Sequence, residues 1–174
     1  ETDIGTPEGK QFAVDTLDYM RGVIERYQSE TGEIYNLEAT PGEGTAYRLA
    51  MLDKKAFRDI ICANEKQFNE GADPFYTNSS QLPVNYTDDV FEAMELQDEL
   101  QTRYTGGTVF HIFLGEQICQ FESAKNMVRK VTENFHMPYF TLTPTFSVCP
   151  DHGYISGHHE NCPRCGHPAE VYSR

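Results

Sequence analysis

The sequence predicts an α/β protein in which helices alternate with short strands that pair in parallel. Two observations carry this prediction. Four extended, β-type runs are separated by long segments whose apolar residues recur at three- and four-residue steps, which is the spacing of one helix face. The third extended run, Thr108–Leu114, is almost continuously apolar. Such a run is typical of a strand covered on both faces, as strands of parallel sheets are.

The first half of the chain begins with two predicted helices. An amphipathic helix covers residues 10–30, a β-type run follows at 31–40, and a second helix spans 45–68. The apolar side chains predicted to lie on the buried side of this second helix are Leu49, Leu52, Phe57, Ile60 and Ile61.

The same alternation continues to residue 148. Residues 73–84 are predicted to be extended, and a third helix begins near Thr87, whose hydroxyl is suited to capping it. The strand 108–114 precedes a fourth helix at 116–135, and residues 138–148 are extended again. Ligands of such sheets bind in the loops that follow the carboxyl ends of the strands, so those loops are the first candidates for a site.

The composition argues against two classes of function. The chain has 14 Lys and Arg against 27 Asp and Glu, a net charge of −13. Sequence-independent nucleic-acid binding needs cationic side chains to replace counterions, so this charge disfavours it. No apolar run reaches the roughly 18 residues of a membrane span. The chain begins with Glu1 rather than Met, so we expect a processed product or a piece of a longer protein.

The five cysteines do not suggest a secreted disulfide scaffold. No signal peptide is visible either, so a reducing, cytoplasmic location is expected. Cys62 and Cys119 fall inside predicted helices, where a cysteine is usually a small buried hydrophobic residue.

The C-terminal region carries the most specific pattern, Cys149-x2-His152-x9-Cys162-x2-Cys165. Two ligand pairs, each with two intervening residues, are what two zinc knuckles present to one tetrahedral ion. Prolines and glycines within and after both pairs supply the tight turns. Four protein ligands would close the coordination shell, so the pattern predicts a structural zinc rather than a catalytic one.

Two alternatives stay open at this site. His158, His159 or His167 could replace His152 as the fourth ligand, although the regular knuckle spacing favours His152. The second pair, the sequence C-P-R-C, could instead be a redox dithiol. It lacks the following helix that would lower a thiol pKa in a thioredoxin-like site, which favours the metal.

A second informative stretch is the loop A-T-P-G-E-G-T at 39–45, between the first β-type run and the second helix. Glycines let a backbone approach a ligand closely, and the N–H groups and dipole of a helix N-terminus favour an anion. The alternative is a plain turn, and the spacing alone favours neither. The loop is not a Walker sequence, because no Lys follows the glycines, and Glu43 is awkward beside a phosphate.

Four segments, taken in order, resemble the anaerobic (class III) ribonucleoside-triphosphate reductases. They are NLEATPGEGTAYRLA, FYTNSSQLPV, TGGTVFHIFLGE and MPYFTLTPTFSVCPDHGYISG…CPRCG…EVYSR, and the resemblance covers about residues 30–174. It implies a glycyl-radical enzyme that reduces ribonucleoside triphosphates to deoxyribonucleotides without oxygen. It also implies a ten-stranded α/β barrel built of two halves, a homodimer, and an activating radical-SAM partner that generates the glycyl radical.

The resemblance also implies roles for particular residues. The zinc ligands would be Cys149, His152, Cys162 and Cys165, with His152 in place of the commoner fourth thiolate. The residues that would bind the substrate phosphates are Thr40, Pro41, Gly42, Glu43, Gly44 and Thr45. Residues 1–146 would form the C-terminal half-barrel of the catalytic domain and residues 147–174 a zinc-binding module.

The chain also departs from the family pattern. No glycine here can be assigned as the radical site, and no cysteine as the thiyl radical. We therefore expect the remainder of a reductase chain as partner, and no activity from this chain alone. Two other functions stay open: a non-catalytic zinc-binding interaction module, and a related glycyl-radical enzyme that acts on another substrate.

Overall fold

A computed structural model of the chain describes residues 3–83, 86–114 and 120–172. It contains two compact units, the first ending at Thr108 and the second beginning at Val109. No helix within the described residues is long and apolar enough to cross a membrane. The helices of the first unit are α1 Pro7–Thr31, α2 Glu43–Ala56, α3 Glu65–Asn69 and α4 Val90–Gln101. The elements of the second unit are β1 Phe110–Leu114, α5 Phe121–Asn134, β2 Phe140–Pro144, β3 Phe146–Cys149, β4 Gly153–Ser156 and β5 Glu170–Tyr172.

Helix α1 confirms the first predicted helix, and local sequence sets both of its ends. Thr6 caps the N-terminus by accepting a hydrogen bond from the N–H of Gly9 at 3.1 Å, and Pro7 occupies the first helical position. Gly32 ends the helix in the left-handed conformation, at φ 73°, and donates its N–H to the Gln28 carbonyl oxygen at 2.9 Å.

The core of the first unit forms between α1 and α4. Val14 and Leu17 of α1 cluster with Leu37 and with Leu100 of α4, and all four are buried. Leu37 belongs to the β-type run predicted at 31–40. Within the described residues this run makes an isolated parallel bridge between Glu38 and Gly106 rather than a strand, so the predicted strand is shorter than expected.

The close approach at this bridge requires glycine at position 107. Gly107 has φ +68°, a conformation that side chains disfavour. A Cβ atom there would lie 2.8 Å from the carbonyl oxygen of Ala39 and would also overlap the side chain of Glu38. At Gly106, by contrast, a Cβ atom would have no neighbouring heavy atom within 4 Å.

Helix α2 ends at Ala56, well before the predicted end at residue 68. Phe57 takes an extended conformation, with φ −131° and ψ 99°, and the following residues include β-branched isoleucines, which are weak helix formers. The Lys54 ammonium reaches forward over this segment and donates to the Ile60 carbonyl oxygen at 2.6 Å. Cys62 therefore lies between α2 and α3, and its predicted place within a helix is wrong.

An ion pair holds the segment between α2 and α3. Lys54 Nζ lies 2.6 Å from Glu65 Oε2, and the Lys54 side chain is only 8% exposed. The same carboxylate accepts hydrogen bonds from the N–H of Cys62 at 2.9 Å and from its thiol at 3.2 Å. The Cys62 N–H, then the Lys54 ammonium and the Cys62 thiol, lower the pKa of Glu65 from 4.5 to about 2. Burial raises the pKa of the Cys62 thiol, and its hydrogen bond to Glu65 adds to this, so Cys62 is a buried neutral thiol.

The buried side predicted for the second helix is wrong. Leu49, Leu52, Phe57 and Ile61 keep between 48% and 61% of their surface exposed. The periodicity does identify an apolar face, but the described residues leave that face largely uncovered.

Helix α4 has Asp89 as its N-cap rather than the predicted Thr87. The Asp89 carboxylate accepts from the N–H groups of Phe91 at 2.8 Å and Glu92 at 3.3 Å. An aspartate at this position satisfies two free N–H groups and also complements the helix dipole. Thr87 supports the cap from outside, because it accepts from the Asp89 N–H at 3.1 Å and donates to the Glu92 carboxylate.

The second unit opens with a βαβ arrangement. Strands β1 and β2 pair in parallel, with Phe110 opposite Phe140 and Leu114 opposite Pro144, and α5 lies between them in the chain. This parallel pair, with its helix, confirms the predicted mixed α/β class. Cys119 and the first residues of the predicted fourth helix lie outside the described residues.

Strand β3 is the centre of a three-stranded antiparallel sheet in the order β4-β3-β5. The extended run predicted at 138–148 therefore contains two strands, β2 and β3, which join different sheets. Thr145 lies between them. Its N–H donates to the Leu114 carbonyl oxygen at 3.0 Å, and its own carbonyl oxygen accepts from the Gly157 N–H at 3.0 Å. The compact units divide after Thr108, and the domain boundary predicted between residues 146 and 147 stays a prediction.

Candidate metal centre

The antiparallel sheet places the first pair of predicted ligands on a tight hairpin. Strand β3 ends at Cys149 and β4 begins at Gly153, and these two residues are paired across the sheet. Gly153 adopts φ +71°, which closes the turn, and His152 is the last residue of the turn before it. Cys149 and His152 therefore point from the two ends of one short turn.

The second pair lies on a turn that its own backbone stabilises. The N–H of Gly166 donates to the Cys162 carbonyl oxygen at 2.8 Å, and the N–H of Cys162 donates to the His167 carbonyl oxygen at 2.7 Å. The N–H of Arg164 points at the Cys162 sulfur, 3.4 Å away. Backbone N–H groups directed at a cysteine sulfur stabilise the thiolate that a zinc ion binds.

The four predicted ligand atoms meet at the spacing of a tetrahedral zinc site. The sulfur atoms of Cys149 and Cys165 are 3.7 Å apart, and His152 Nδ1 lies 3.6 Å from the Cys149 sulfur and 3.7 Å from the Cys162 sulfur. Tetrahedral Zn–S and Zn–N bonds of usual length separate two sulfurs by about 3.8 Å and a sulfur and a nitrogen by about 3.5 Å. All four donor atoms lie within 4.8 Å of one another. The donor set thus fits zinc in chemistry and in spacing.

The electrostatics of the second pair favours one thiolate over the other. Burial raises the pKa of Cys162, but the N–H groups of Arg164 and Cys165 and the neighbouring thiols outweigh it and lower the pKa from 9.0 to about 6. At Cys165 the N–H of His167 lowers the pKa, whereas burial and the thiols of Cys162 and Cys149 raise it, and the net result is a raised pKa.

The other histidines of this region have different surroundings. His159 donates its backbone N–H to the Ser147 hydroxyl at 2.9 Å, and its Nε2 lies 3.1 Å from the Ser156 carbonyl oxygen. His167 Nδ1 lies 2.8 Å from the Asp151 carboxylate. His158 is exposed and belongs to neither group of potential metal ligands found within the described residues. Among the histidines that the sequence leaves as candidates for the fourth zinc ligand, His152 is the one that the structure brings to the three cysteines.

The second predicted site, residues 40–45, leads directly into α2. Gly42 is the N-cap and, having no side chain, offers no capping acceptor to the N–H groups of the first turn. Thr40, Gly44 and Thr45 are exposed. The side chain of Glu43 lies outside the described part of the chain.

A neighbouring loop at 76–81 lies against this helix start, and its Tyr76 and Asn78 fit the sequence as cleft donors or as plain polar residues at a strand end. A Cβ atom on Gly42 would lie 3.8 Å from Asn78 Oδ1. Ser79 adopts φ +46°, unusual for a residue other than glycine, and such outliers often occur at functional sites. The residues 73–83, predicted as extended, contain no strand and instead turn at this loop. Asn78, Ser79 and Ser80 are of residue types that favour turns, so the sequence did carry a signal for this turn.

Two tyrosines hold this loop against α2. Tyr47 donates to the Asp73 carboxylate at 2.8 Å, and Tyr76 donates to the Asp53 carboxylate at 3.0 Å. Each hydrogen bond joins a residue of α2 to a residue of the segment 73–81. Together they hold the segment 73–81 against α2, and Asn78 of this segment lies near the start of the helix.

Comparison with known proteins identifies the family. The family model for anaerobic ribonucleoside-triphosphate reductase matches residues 1–174. The chain therefore belongs to the anaerobic ribonucleoside-triphosphate reductase family.

Individual relatives agree with this assignment. The anaerobic ribonucleoside-triphosphate reductase of Haemophilus influenzae is 21% identical over 168 residues, covering 90% of this chain and 22% of that protein. The crystal structure of the anaerobic ribonucleotide reductase from Thermotoga maritima with MES in the active site is 30% identical, with a TM-score of 0.68. That match covers 97% of this chain and 26% of the other. The structure of the same enzyme in complex with dATP and CTP is 29% identical, with a TM-score of 0.66. That match covers 97% of this chain and 26% of the other. The chain thus spans about a quarter of the length of these relatives.

Proposed function

We propose that this chain is a C-terminal part of the catalytic subunit of an anaerobic ribonucleoside-triphosphate reductase. The complete enzyme would reduce ribonucleoside triphosphates to deoxyribonucleotides by glycyl and thiyl radical chemistry. The family match along the whole of residues 1–174 carries this proposal. The parallel pairing of β1 with β2 across α5 is consistent with the second half of a ten-stranded α/β barrel.

The structural zinc is the second part of the proposal. Cys149, His152, Cys162 and Cys165 would hold the ion, since their donor atoms meet at tetrahedral spacing. A bound zinc with four protein ligands offers no position for substrate, so its contribution is to stabilise the fold. It would tie the β3–β4 hairpin to the turn at 162–165 and so hold residues 147–174 in shape.

The third part concerns the substrate phosphates. We assign their binding to the loop Thr40–Thr45, where the uncapped N-terminus of α2 favours an anion. Asn78 adds a polar side chain at the same place. The N–H groups and hydroxyls of this loop would orient the triphosphate, while the reacting end of the nucleotide would be held elsewhere in the longer enzyme.

The radical residues would belong to the remainder of the enzyme. Cys62 is buried and its thiol donates to the Glu65 carboxylate, so it is unsuited to a radical exchange with substrate. Cys149, Cys162 and Cys165 are assigned to zinc, and Cys119 falls in a predicted helix, where the sequence favours a small buried hydrophobic residue. We therefore place the thiyl cysteine and the glycyl radical in the rest of the reductase chain, together with the contacts to a radical-SAM activating enzyme and to a second subunit.

The test uses the full-length reductase, activated under anaerobic conditions and assayed for deoxyribonucleotide formation. Gly42→Ala and Gly44→Ala add one methyl group each where the structure shows no clash. Both should raise KM for the ribonucleoside triphosphate about tenfold, because the methyl group obstructs a ligand that approaches the backbone closely. Gly22→Ala, which adds the same group at an open position on α1, is the matched control and should leave KM unchanged.

Two outcomes would contradict the proposal at different levels. An unchanged KM in both loop variants would refute the phosphate assignment and leave the reaction untouched. Failure of the activated parent enzyme to form deoxyribonucleotides from any ribonucleoside triphosphate would refute the reaction itself.

A further inference from the structure

A second group of metal-ligating side chains overlaps the proposed zinc set at Cys165. The carboxylate of Asp151, the thiol of Cys165 and the imidazole of His167 each place a donor atom within 4.8 Å of the others. We call these three residues the outer group. Zinc accepts oxygen, nitrogen and sulfur donors from these residue types. Three ligands leave one position for water, so the outer group has the chemistry of an open and therefore weaker site.

Two of the four proposed zinc ligands are more deeply buried than the outer group, whereas His152 is exposed. Cys149 and Cys162 keep 1% and 2% of their surface exposed. The side chains of Asp151 and His167 are 57% and 67% exposed, and Cys165, which belongs to both groups, is partly buried. An ion that arrives from solvent therefore meets Asp151, His167 and the exposed His152 before it can reach the buried thiols of Cys149 and Cys162.

The chain places the outer donors next to the inner ones. Asp151 immediately precedes His152, and His167 follows Cys165 by two residues. His167 Nδ1 and Asp151 Oδ2 are already 2.8 Å apart, across the two turns. An ion can thus pass from one group to the other by side-chain rotations within the turns, while the strands β3, β4 and β5 stay paired.

We propose that the outer group is a capture site through which Zn²⁺ enters the four-ligand site. Cys165 stays bound throughout, while the other three zinc ligands displace Asp151, His167 and the bound water. The oxidation state of the ion does not change, and each thiol that binds releases its proton to solvent. The transfer is favourable because three thiolates and an imidazole form a softer and more complete donor set for zinc than the outer group.

This inference rests on the proposed zinc site, and the experiment separates the two. The full chain is stripped of metal, kept reduced, and mixed with Co²⁺ in a stopped-flow instrument. Co²⁺ is the probe because its absorption spectrum reports tetrahedral coordination by thiolates. Association rates are measured at several Co²⁺ concentrations, and dissociation rates by displacement with excess Zn²⁺. The variants are Asp151→Asn, His167→Gln and their combination, and His158→Gln is the matched control for an exposed histidine of the same region.

The double variant should lose about tenfold or more in the association rate constant, because the ion is no longer concentrated beside the buried thiols. Its dissociation rate should fall by the same factor, since a path used for entry is also used for exit. The dissociation constant and the final spectrum should therefore match those of the parent chain, which also shows that the variant site is intact. His158→Gln should change neither rate.

Any other pattern overturns the capture site. An unchanged association rate in the double variant would refute the capture site directly. Faster dissociation with weaker binding would also do so, because it would mean that the Asp151–His167 hydrogen bond only ties the two turns together. A parent chain that never acquires the spectrum of a three-thiolate site would instead refute the proposed zinc site.

Discussion

Zinc removal should unfold the antiparallel sheet β3–β5 and leave the helices of the first unit intact. The reason lies in what this sheet buries. Among the described residues from 145 onward, the buried side chains are Thr145, Ser147, Cys149 and Cys162. The fully buried apolar side chains of this region are thus two cysteines, which are themselves the proposed ligands, while Phe146, Val148 and Ile155 are only half-buried.

The magnitude follows from that small core. Burying two cysteine side chains contributes about 2 kcal/mol in total. Binding of a structural zinc is worth roughly 10–16 kcal/mol in zinc-finger peptides at neutral pH. The metal should therefore supply most of the free energy that holds β3, β4 and β5 together.

Hydrogen exchange measured residue by residue is the appropriate assay. The chain is compared with zinc bound and after treatment with a strong chelator, and metal content is measured on the same samples. Amide protection in the β3–β5 sheet should fall at least about a thousandfold, which corresponds to a loss of about 4 kcal/mol. Amides of α1 and α4 should keep their protection, because their core of Val14, Leu17, Leu37 and Leu100 contains no metal ligand.

Two results would refute this reasoning. Protection that persists in the sheet after zinc is gone would show that the metal is not what folds it. Loss of protection in α1 and α4 at the same chelator concentration would show that the zinc-binding region is not an independent module. His152→Gln gives a second route to the same question, with His158→Gln as control: the first variant should lose zinc at chelator concentrations that the second withstands.

Three further predictions concern the first unit. Gly107→Ala should lower the free energy of unfolding by about 2–4 kcal/mol in chemical denaturation, because of its positive φ and the overlap of the new methyl group, whereas Gly106→Ala should change it little. Equal effects would contradict the geometry of this bridge. Lys54→Met should cost about 1–3 kcal/mol by the same assay, because it leaves the Glu65 carboxylate without its cation, while Lys55→Met at an exposed position serves as control. The folded-state pKa of Glu65, about 2 against an ordinary 4.5, predicts stability that is fully present above pH 4.5 and is lost as the pH falls towards 2. Glu65→Gln should flatten that part of the acid-stability curve, and an equally steep curve would refute the assignment.

Local signals allowed much of the fold to be predicted from the sequence. Helix α1 has a threonine cap, a proline at its first position and a glycine at its end, and each acts within one turn of the helix. The four residues proposed to bind zinc could be predicted because two short spacings each confine a pair of side chains to one turn. The spacing favoured His152 over the neighbouring histidines but did not determine the choice. The β3–β4 hairpin is what brings His152 to the three cysteines.

Features set by contacts distant in sequence were missed. The end of α2 depends on Lys54, which reaches forward to Ile60 and Glu65, and no propensity scale includes that contact. The cap of α4 is a local feature that was also missed: the Asp89 carboxylate accepts from the N–H groups of Phe91 and Glu92 with a full charge, whereas Thr87 accepts from the N–H of Asp89. The position of the loop at 76–81 beside the candidate phosphate site depends on Tyr47 and Tyr76. Their hydrogen-bond partners are 26 and 23 residues away in the sequence.

The wrongly predicted burial on α2 has a different cause, and α1 also carries an exposed apolar face. Phe12, Tyr19, Met20 and Tyr27 of α1 are between 42% and 75% exposed, and their seven-residue spacings place them on a common face. Apolar surface of this extent is unusual on an isolated domain and marks a surface that another part of a protein covers. The chain spans about a quarter of its solved relatives. In the proposed longer reductase, the remaining chain would cover these faces, so the periodicity would correctly describe the burial in the complete enzyme.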